Sequence, residues 1–505
     1  MYELKYQPAV KKVFYKPYGV INLSYDLGKK AINEALKQGA SYADVRIGDI
    51  FDENLTVRKG VPEEVTLLHS RGLGIRVIVN GAWGFAGSID LKSEEIAETA
   101  QKAVSVALAS SKLKKKNIKL AAVAKSGKDE YFTPAKKDPF EVPLEDKVDV
   151  LLSAERTLAG QSPLIKSSSA FFRAFREDKF FMSNEGTEIT QQITFCGGGL
   201  MCVAVRNSEV QRRSYPCSFR GNFSTAGYEF FESLALVEHA KETGLEAVRL
   251  LDAAKCPPTK TDLIITGEQL ELQIHESCGH PTELDRALGM EADYAGTSFL
   301  TPDKLGKLVY GSKNVNMVAD ATAPGGLGTF GYDDEGIPAK QVFLVKEGLF
   351  MGYQTSRETA VDLDLGESSG GMRADSPLAI PLVRMTNINL LPGDWKREEI
   401  IEDTRHGFLM DTNRSWSIDD KRLNFQFGAE IGWEIKNGSK EKIVKNPTYT
   451  GMTPQFWGSC DAISKDDWKM WGTPNCGKGV PAQVMYVGHG CGTARFRKTR
   501  IGVLQ

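Results

Sequence analysis

The sequence has almost no net charge, few histidines and no long apolar run. Its 63 basic and 65 acidic residues leave a formal charge of −2, whereas nucleic-acid-binding proteins carry a strong basic bias. No segment approaches the roughly eighteen consecutive apolar residues of a transmembrane helix. We therefore expect neither a nucleic-acid partner nor a membrane. Residues 1–19 contain scattered lysines and no apolar core, so no signal peptide is predicted.

Disulfide and nucleotide-binding patterns are also missing. The eight cysteines are scattered through 505 residues, unlike the dense spacing of a small disulfide-stapled secreted domain. The triple glycine at 197–199 lacks the Lys-Ser/Thr pair of a phosphate-binding loop, and Gly72-Leu73-Gly74 lacks the third glycine of a dinucleotide fingerprint. These features predict a reducing, cytoplasmic environment and argue against a nicotinamide site.

The order of predicted elements indicates an α+β fold. Residues 27–36 have helical apolar spacing, and the dipeptide Asn80-Gly81 predicts a tight hairpin between two strands. Residues 167–206 are typical of an antiparallel meander, with breaks expected at 184–186 and at the triple glycine. A long helix is predicted over 228–254.

Cys256-Pro257-Pro258 ends that helix and marks a predicted domain boundary. A chain of this length is expected to form more than one domain. We predict an N-terminal domain over residues 1–255, with an antiparallel sheet and helices. A β-rich C-terminal domain over residues 256–505 is predicted to carry a bent, metal-binding helix.

Two of the six histidines lie in one hexapeptide, HESCGH at residues 275–280, shortly after an apolar strand-like segment at 262–266. Neutral imidazoles suit zinc, and Glu276, beside the first histidine, can act as a general base toward an attacking water. The alternative is an ordinary helix end, because most histidines bind no metal. The rarity of histidine in this chain favours the metal site.

The spacing of five residues between these histidines requires an irregular helix. Positions i and i+4 differ by roughly 40° around an α-helix, whereas i and i+5 differ by roughly 140°. The imidazoles can converge if the helix widens into a π-bulge or ends between them. Gly279 eases irregular backbone, and Pro281 moves His280 away from α geometry. We predict a helix over 268–278 that is distorted or ends at Gly279.

A catalytic zinc site usually has three protein ligands and one open position, so a third ligand must come from another part of the chain. The candidates are Cys278, His406, Cys460, Cys476, His489 and Cys491. Cys278 lies inside the motif, where a bent helix end hinders it from reaching the same metal. Cys476 lies among glycines and a proline that predict a tight loop, and Lys478 would favour its thiolate. Spacing alone leaves the choice between Cys476 and the Cys491 loop open.

Several longer stretches resemble the TldD/PmbA family of metallopeptidases. They are HESCGHPTELD, GTFGYDDEGIPAKQVFLVKEGLFMGY, RMTNINLLPGD, FGAEIGWEIKNG and NCGKGVPAQV, with YADVRI and GLGIRVIVNGAWGFAGS nearer the N-terminus. The stretches follow the family's order over nearly the whole chain. The intact histidine motif resembles the metal-bearing TldD branch, since the PmbA branch lacks it.

The resemblance implies a zinc ion held by His275, His280 and Cys476, with Glu276 as the catalytic carboxylate. It implies an N-terminal domain that covers the metal-bearing domain and controls substrate access. It also implies a dimer, formed with an identical chain or with a PmbA-like subunit. The expected substrates are short peptides or unfolded proteins that reach an internal cavity.

Four further side chains near these motifs have open roles. Glu283 and Asp285 match the family pattern, and they either orient the ligand histidines or cap the local backbone. His489 is expected to be a surface histidine and Cys491 an ordinary buried cysteine, although either could contact the metal or its ligands. The acidic triplet at 333–335 is expected to be a solvated turn, and the alternative is a role in substrate or metal binding.

Taken together, these features predict a zinc-dependent metallopeptidase in which Glu276 activates the attacking water. One alternative is a non-catalytic regulatory or scaffold subunit of a peptidase complex. The other is a zinc hydrolase that acts on an amide other than a peptide bond.

Overall fold

The computed structural model describes residues 18–123, 127–218, 220–293 and 296–502, with side chains from residue 25 onward. Residues 1–17, which hold most of the segment for which no signal peptide is predicted, lie outside the described residues. The helices are α1 Tyr18–Lys37, α2 Ser93–Ser111, α3 Leu144–Ala159, α4 Tyr228–Ser233, α5 Leu236–Asp252, α6 Gly267–Ile274, α7 Leu284–Ala287, α8 Arg357–Asp362, α9 Arg397–Glu402 and α10 Thr453–Gly458. Among the described residues, none of these helices has both the length and the apolar character that crossing a bilayer requires.

The first large sheet is formed by the N-terminal half of the chain. Its strands are β1 Tyr42–Arg58, β2 Val61–Val79, β3 Ala82–Ser88, β4 Gly127–Phe132, β5 Ile165–Ser183, β6 Thr187–Arg206, β7 Glu209–Tyr215 and β8 Asn222–Ser224. Six of them run in the order β3-β2-β1-β5-β6-β4, and all neighbours are antiparallel except β4 and β6. Asn80 and Gly81 have φ angles of 50° and 74°, which is the conformation of the predicted hairpin turn.

Three details of this half differ from the sequence-based expectation. The triple glycine lies inside β6 instead of interrupting it. There a Cβ on Gly198 would come less than 3.0 Å from the Phe171 carbonyl oxygen, so the residue permits close strand packing. Residues 43–50 and 54–58 are each predicted from the sequence to form a short strand, whereas the structure has one continuous strand, β1. The long helix expected over 228–254 is divided into α4 and α5 at Ala235, whose φ of 48° is incompatible with a continuous helix.

The C-terminal half is rich in strands, which confirms the predicted α+β fold with a β-rich second half. Its strands are β9 Ala254–Lys255, β10 Thr259–Ile265, β11 Met317–Asp320, β12 Gln341–Lys346, β13 Leu349–Phe350, β14 Met372–Arg373, β15 Leu382–Val383, β16 Ile388–Leu390, β17 His406–Ile418, β18 Asn424–Lys436, β19 Ser439–Lys445, β20 Thr448–Met452, β21 Cys460–Ile463, β22 Lys469–Lys478, β23 Gln483–Cys491 and β24 Ala494–Ile501. The main sheet runs β17-β10-β24-β20-β18-β19-β9, and β17 also pairs with β18. This extra pairing closes five strands into a ring.

Buried ion pairs join the two halves. Arg76 of β2 contacts Asp44 at 2.7 Å and Glu335 at 3.2 Å, and Lys179 of β5 contacts Asp334 at 2.9 Å. Asp334 and Glu335 are each 2% exposed, so the expectation of a solvated acidic turn at 333–335 is wrong. The cations of these two ion pairs, Arg76 and Lys179, come from the N-terminal sheet. The domain division at residues 255 and 256 stays a prediction.

Candidate metal centre

The hexapeptide at 275–280 forms a widened helical turn. Helix α6 continues directly into a π-helical turn over His275–Gly279 and a 3₁₀ turn over His280–Thr282. The backbone N–H of His280 donates to the carbonyl of His275, which is the i→i+5 bond of a π-helix. The predicted bend is confirmed, and the extra residue is absorbed by the turn between the two histidines.

Gly279 is needed for a reason that differs from the one expected. Its φ of −56° and ψ of −67° are right-handed helical, so the backbone there does not require glycine. A Cβ at this position would instead lie less than 3.0 Å from Sδ of the buried Met385, closer than real Cβ atoms come. The Gly279 carbonyl accepts hydrogen bonds from Gln354 Nε2 at 2.8 Å and from Thr282 Oγ1 at 3.0 Å, which hold the irregular turn in place.

His275, His280 and Cys476 come together at this turn. Each of the three offers one ligand atom, and these atoms lie within 4.8 Å of one another. Cys476 Sγ is 3.7 Å from His280 Nε2, and the two imidazole rings are 4.8 Å apart between centroids. All three residues are at most 5% exposed. Two imidazole nitrogens and a sulfur in a buried cluster are a donor set that fits zinc.

Cys476 reaches the cluster from a strand, whereas a tight loop was expected. It lies in β22, whose pairing with β23 shifts register between Thr473 and Cys476, and Pro474 lies at this bulge. Cys491, the other open candidate, is buried at the far end of β23, and its Sγ contacts the Gly267 carbonyl at 3.6 Å.

The electrostatic surroundings of Cys476 also differ from the expectation. Burial raises the pKa of its thiol, and the nearby Arg384 guanidinium opposes that rise. Arg384 also donates a hydrogen bond to the Cys476 carbonyl. Lys478, the cation predicted to favour the thiolate, contacts Asp285 at 2.8 Å and the Val383 carbonyl at 2.6 Å instead. Arg384, ninety-two positions before Cys476, could not be identified from spacing.

Both histidines of the cluster are held through their Nδ1 atoms. His280 Nδ1 lies 3.0 Å from Glu283 Oε2, and His275 Nδ1 lies 2.8 Å from His489 Nε2. His489 Nδ1 in turn lies 3.3 Å from the Ile388 carbonyl, which can only accept a hydrogen bond. If His489 Nδ1–H donates to this carbonyl, its Nε2 accepts from His275 Nδ1–H. That tautomer leaves the Nε2 lone pair of His275 free for a metal.

The expectation that His489 lies on the surface is therefore wrong, because the side chain is fully buried. A signal for this was present in the sequence. Met485, Val487, His489 and Cys491 alternate along β23, and all four are buried on one face of the strand.

Glu283 and Asp285 have different surroundings. Glu283 contacts a ligand-cluster histidine, as described above, and Arg286 at 3.4 Å. Asp285 accepts a hydrogen bond of 2.8 Å from the Arg286 backbone N–H and pairs with Lys478. Of the two predicted roles, the geometry of Glu283 fits histidine orientation and that of Asp285 fits a backbone cap.

Burial determines the protonation of the two histidines of the cluster and of His489, which contacts one of them. It is the largest cause that lowers the pKa of His275 and of His280 well below the usual value, and nearby cations add to the effect. Burial also lowers the pKa of His489, to about 3. These imidazoles are therefore neutral near pH 7, which is the form that binds metals.

Glu276 lies beside the cluster but outside the ligand set. Burial raises the pKa of its carboxyl group, and the guanidinium of Arg422 is the strongest of the charges that oppose the rise. Arg422 forms an ion pair with Glu276 through Nη1 and Oε2. This arginine, 146 positions away, was not identified from the sequence, where nothing distinguishes it from other arginines.

Family models and curated relatives match nearly the whole chain. Models of PmbA/TldA metallopeptidase domains match residues 43–107 (domain 1), 137–253 (central domain) and 258–503 (C-terminal domain). A metalloprotease of Methanocaldococcus jannaschii is 33% identical over 462 residues, which cover 92% of this chain and 97% of that protein. A zinc metalloprotease TldD homolog of Saccharolobus solfataricus is 24% identical and covers 86% of this chain and 92% of its own length.

Crystal structures share the fold at lower identity. A Thermotoga maritima protein described as a candidate modulator of a DNA gyrase superposes with a TM-score of 0.74 at 16% identity, over 95% of this chain and all of that one. TldE from Thermococcus kodakarensis superposes with a TM-score of 0.70 at 15% identity, over 94% and 100% of the two chains.

Proposed function

The chain belongs to the TldD/PmbA family of metallopeptidases, and we propose that it is a zinc-dependent peptidase whose ligands are His275, His280 and Cys476. The observation that supports this proposal most directly is the buried cluster of two imidazoles and a thiol, with the carboxylate of Glu276 beside it. A zinc ion bound there would lower the pKa of a coordinated water and polarise the scissile carbonyl.

The protein's own groups then have defined tasks. Glu276, raised in pKa by burial and adjacent to the first ligand, takes a proton from the attacking water and delivers it to the leaving amine. Glu283 and His489 hold His280 and His275 by their Nδ1 atoms, which would leave both Nε2 lone pairs available to a bound zinc ion. Asp285 maintains the backbone after the second ligand.

Burial of the cluster favours a substrate with a flexible, extended backbone that can enter the site. Because His275, Glu276 and His280 are at most 6% exposed, the surface loop of a folded protein has little access to them. We propose short peptides or unfolded segments as substrates, with residues 1–255 as a cover that controls access. The same proposal includes a dimer, formed with an identical chain or with a PmbA-like subunit, as the family resemblance implies. A cytoplasmic location is part of the same proposal.

The test combines metal analysis with cleavage of an unfolded, casein-like substrate. We expect about one zinc per chain and cleavage that a chelator abolishes and added zinc restores. Glu276→Gln should keep the zinc and lose on the order of 10²–10⁴-fold in kcat, the usual contribution of a general base. Full activity in this variant, or a metal-free wild-type protein that cleaves no peptide, would contradict the proposal.

A further inference from the structure

The hairpin turn between β17 and β18 carries a cation into the catalytic site. Arg422 lies in this turn with a φ of 62°, an uncommon value for a bulky residue. Asp419 fixes the conformation, since its carbonyl accepts from Arg422 N–H at 2.8 Å and its Oδ1 accepts from Leu423 N–H at 2.7 Å. Thr453 Oγ1 donates to the Arg422 carbonyl at 2.9 Å. A strained residue held by several contacts is characteristic of functional positions.

The guanidinium of Arg422 faces Glu276 and has an unused donor. Nη1 forms the ion pair with the carboxylate described above. The Nε–H is buried, and it has no hydrogen-bond acceptor within the part of the chain that the structure describes. A buried guanidinium donor without an acceptor is energetically costly, so an acceptor from outside the chain would be stabilised at this place.

The other cations near the cluster have different engagements. Arg220 pairs with Glu271, Arg286 with Glu283 and Lys478 with Asp285. Arg384 donates to backbone carbonyls through its Nη atoms, and its Nε–H, like that of Arg422, has no acceptor among the described residues. Their side chains are at most 6% exposed, whereas that of Arg422 is 14% exposed. Trp416, near the same end of β17, is 41% exposed. The end of this hairpin is therefore the part of the site that a peptide can approach.

From this arrangement we infer that Arg422 is a catalytic residue, which binds the oxygen of the scissile carbonyl and stabilises its negative charge in the transition state. The inference rests on the proposed peptidase function and adds a group to it. Neither of the residues that the sequence indicated for catalysis and ligand orientation, Glu276 and Glu283, can supply this positive charge.

The charges balance through the step. The water oxygen bonds to the carbonyl carbon, a water proton moves to Glu276, and the π electron pair of the carbonyl moves to its oxygen. Glu276 becomes neutral as that oxygen becomes negative. The ion pair that Arg422 made with the carboxylate is thus replaced by an ion pair with the oxyanion, and the number of paired charges stays the same. Such an exchange strengthens binding only as the transition state forms, which is the requirement for catalysis.

The test uses the zinc-loaded protein and the variants Arg422→Gln, Arg422→Lys and Lys421→Gln. Lys421 is the exposed neighbour on the same turn, so its variant removes one charge without touching Glu276. We expect R422Q to lose about 10²–10³-fold in kcat, as when an oxyanion donor is removed, with little change in KM. Arg422→Lys should recover part of the loss, and K421Q should behave as wild type.

A second readout does not depend on turnover. A phosphinic peptide mimics the tetrahedral transition state, and its affinity measured by calorimetry should fall in R422Q by a factor comparable to that in kcat. Zinc content should be unchanged in every variant. Two results in R422Q would overturn the inference: an unchanged affinity for the phosphinic peptide, or a pH profile of kcat whose acidic limb shifts while its plateau stays the same. In either case Arg422 would act only on Glu276. A wild-type protein that cleaves no peptide would instead contradict the peptidase function itself.

Discussion

Replacing Gly279 with alanine tests the physical account of the histidine spacing. The backbone at this position is right-handed helical, where alanine is favoured over glycine by about 1 kcal/mol. The added Cβ would collide with Sδ of Met385, which is fully buried and cannot move into solvent. Overpacking of this kind costs about 1–3 kcal/mol, so the steric term is expected to exceed the helix-propensity gain.

The strain should appear as weaker zinc binding. The π turn begins at His275 and leads directly into His280, and it can relieve the collision by moving away from Met385. Zinc binding must then restore the original turn at a cost of up to the same 1–3 kcal/mol. Since about 1.4 kcal/mol corresponds to a factor of ten, the zinc Kd of Gly279→Ala should rise on the order of ten- to a hundredfold.

The matched control shortens the side chain that collides. In a Met385→Ala background the space is open, so Gly279→Ala should leave the zinc Kd within a few-fold of its background. Zinc affinity would be measured by competition with a chromogenic chelator for the four proteins of this cycle. Equal effects of Gly279→Ala in both backgrounds would refute the steric explanation, and the backbone requirement expected from the sequence would become the better one.

Three further predictions concern the cluster. Cys476→Ser should lose most bound zinc while Cys491→Ser keeps it, as measured by elemental analysis; the reverse result would exchange their roles. His489→Phe should weaken zinc binding about 10–100-fold, and His489→Gln, whose amide oxygen can accept from His275 Nδ1–H, should recover part of the loss; equal affinity of wild type and the Phe variant would contradict the tautomer argument. The zinc association constant should fall about tenfold per unit of decreasing pH between 8 and 6. The reason is that zinc binding releases one proton from the Cys476 thiol, whereas the histidines, whose pKa values are lowered, carry no proton to release. A fall in the association constant of about a hundredfold per pH unit would show that a second group also releases a proton.

Features decided by neighbouring residues could be predicted from the sequence. The bend at 275–280 followed from the mismatch between a spacing of five and the α-helical period, and the structure resolves it with one π turn. The hairpin at Asn80-Gly81 was equally local. In each case the residues that cause the feature lie within one turn of it.

Contacts between distant parts of the chain could not be predicted in this way. Cys476 is 196 positions from His280, and His489 is 214 positions from His275. The acidic turn at 333–335 was expected to be solvated because its charges are visible in the sequence, whereas the buried partner Arg76, 259 positions before Glu335, is not. Only the resemblance to a family, which carries information about the fold, favoured Cys476 over Cys491.

The pairing of charges around the cluster determines which variants can report on chemistry. Glu283 and Arg286 are fully buried and contact each other, and Glu283 also lies 3.5 Å from Lys478. Removing either disturbs a network of buried charges, and breaking a buried ion pair typically costs about 3–5 kcal/mol. Loss of activity in such a variant would report instability as much as mechanism. Arg422 and Glu276 differ because the side chain of Arg422 is 14% exposed, and water can solvate it when Glu276 becomes glutamine. For this reason, variants at this pair, with zinc content and peptide-analogue affinity measured alongside turnover, separate catalysis from folding better than variants at the more deeply buried carboxylates do.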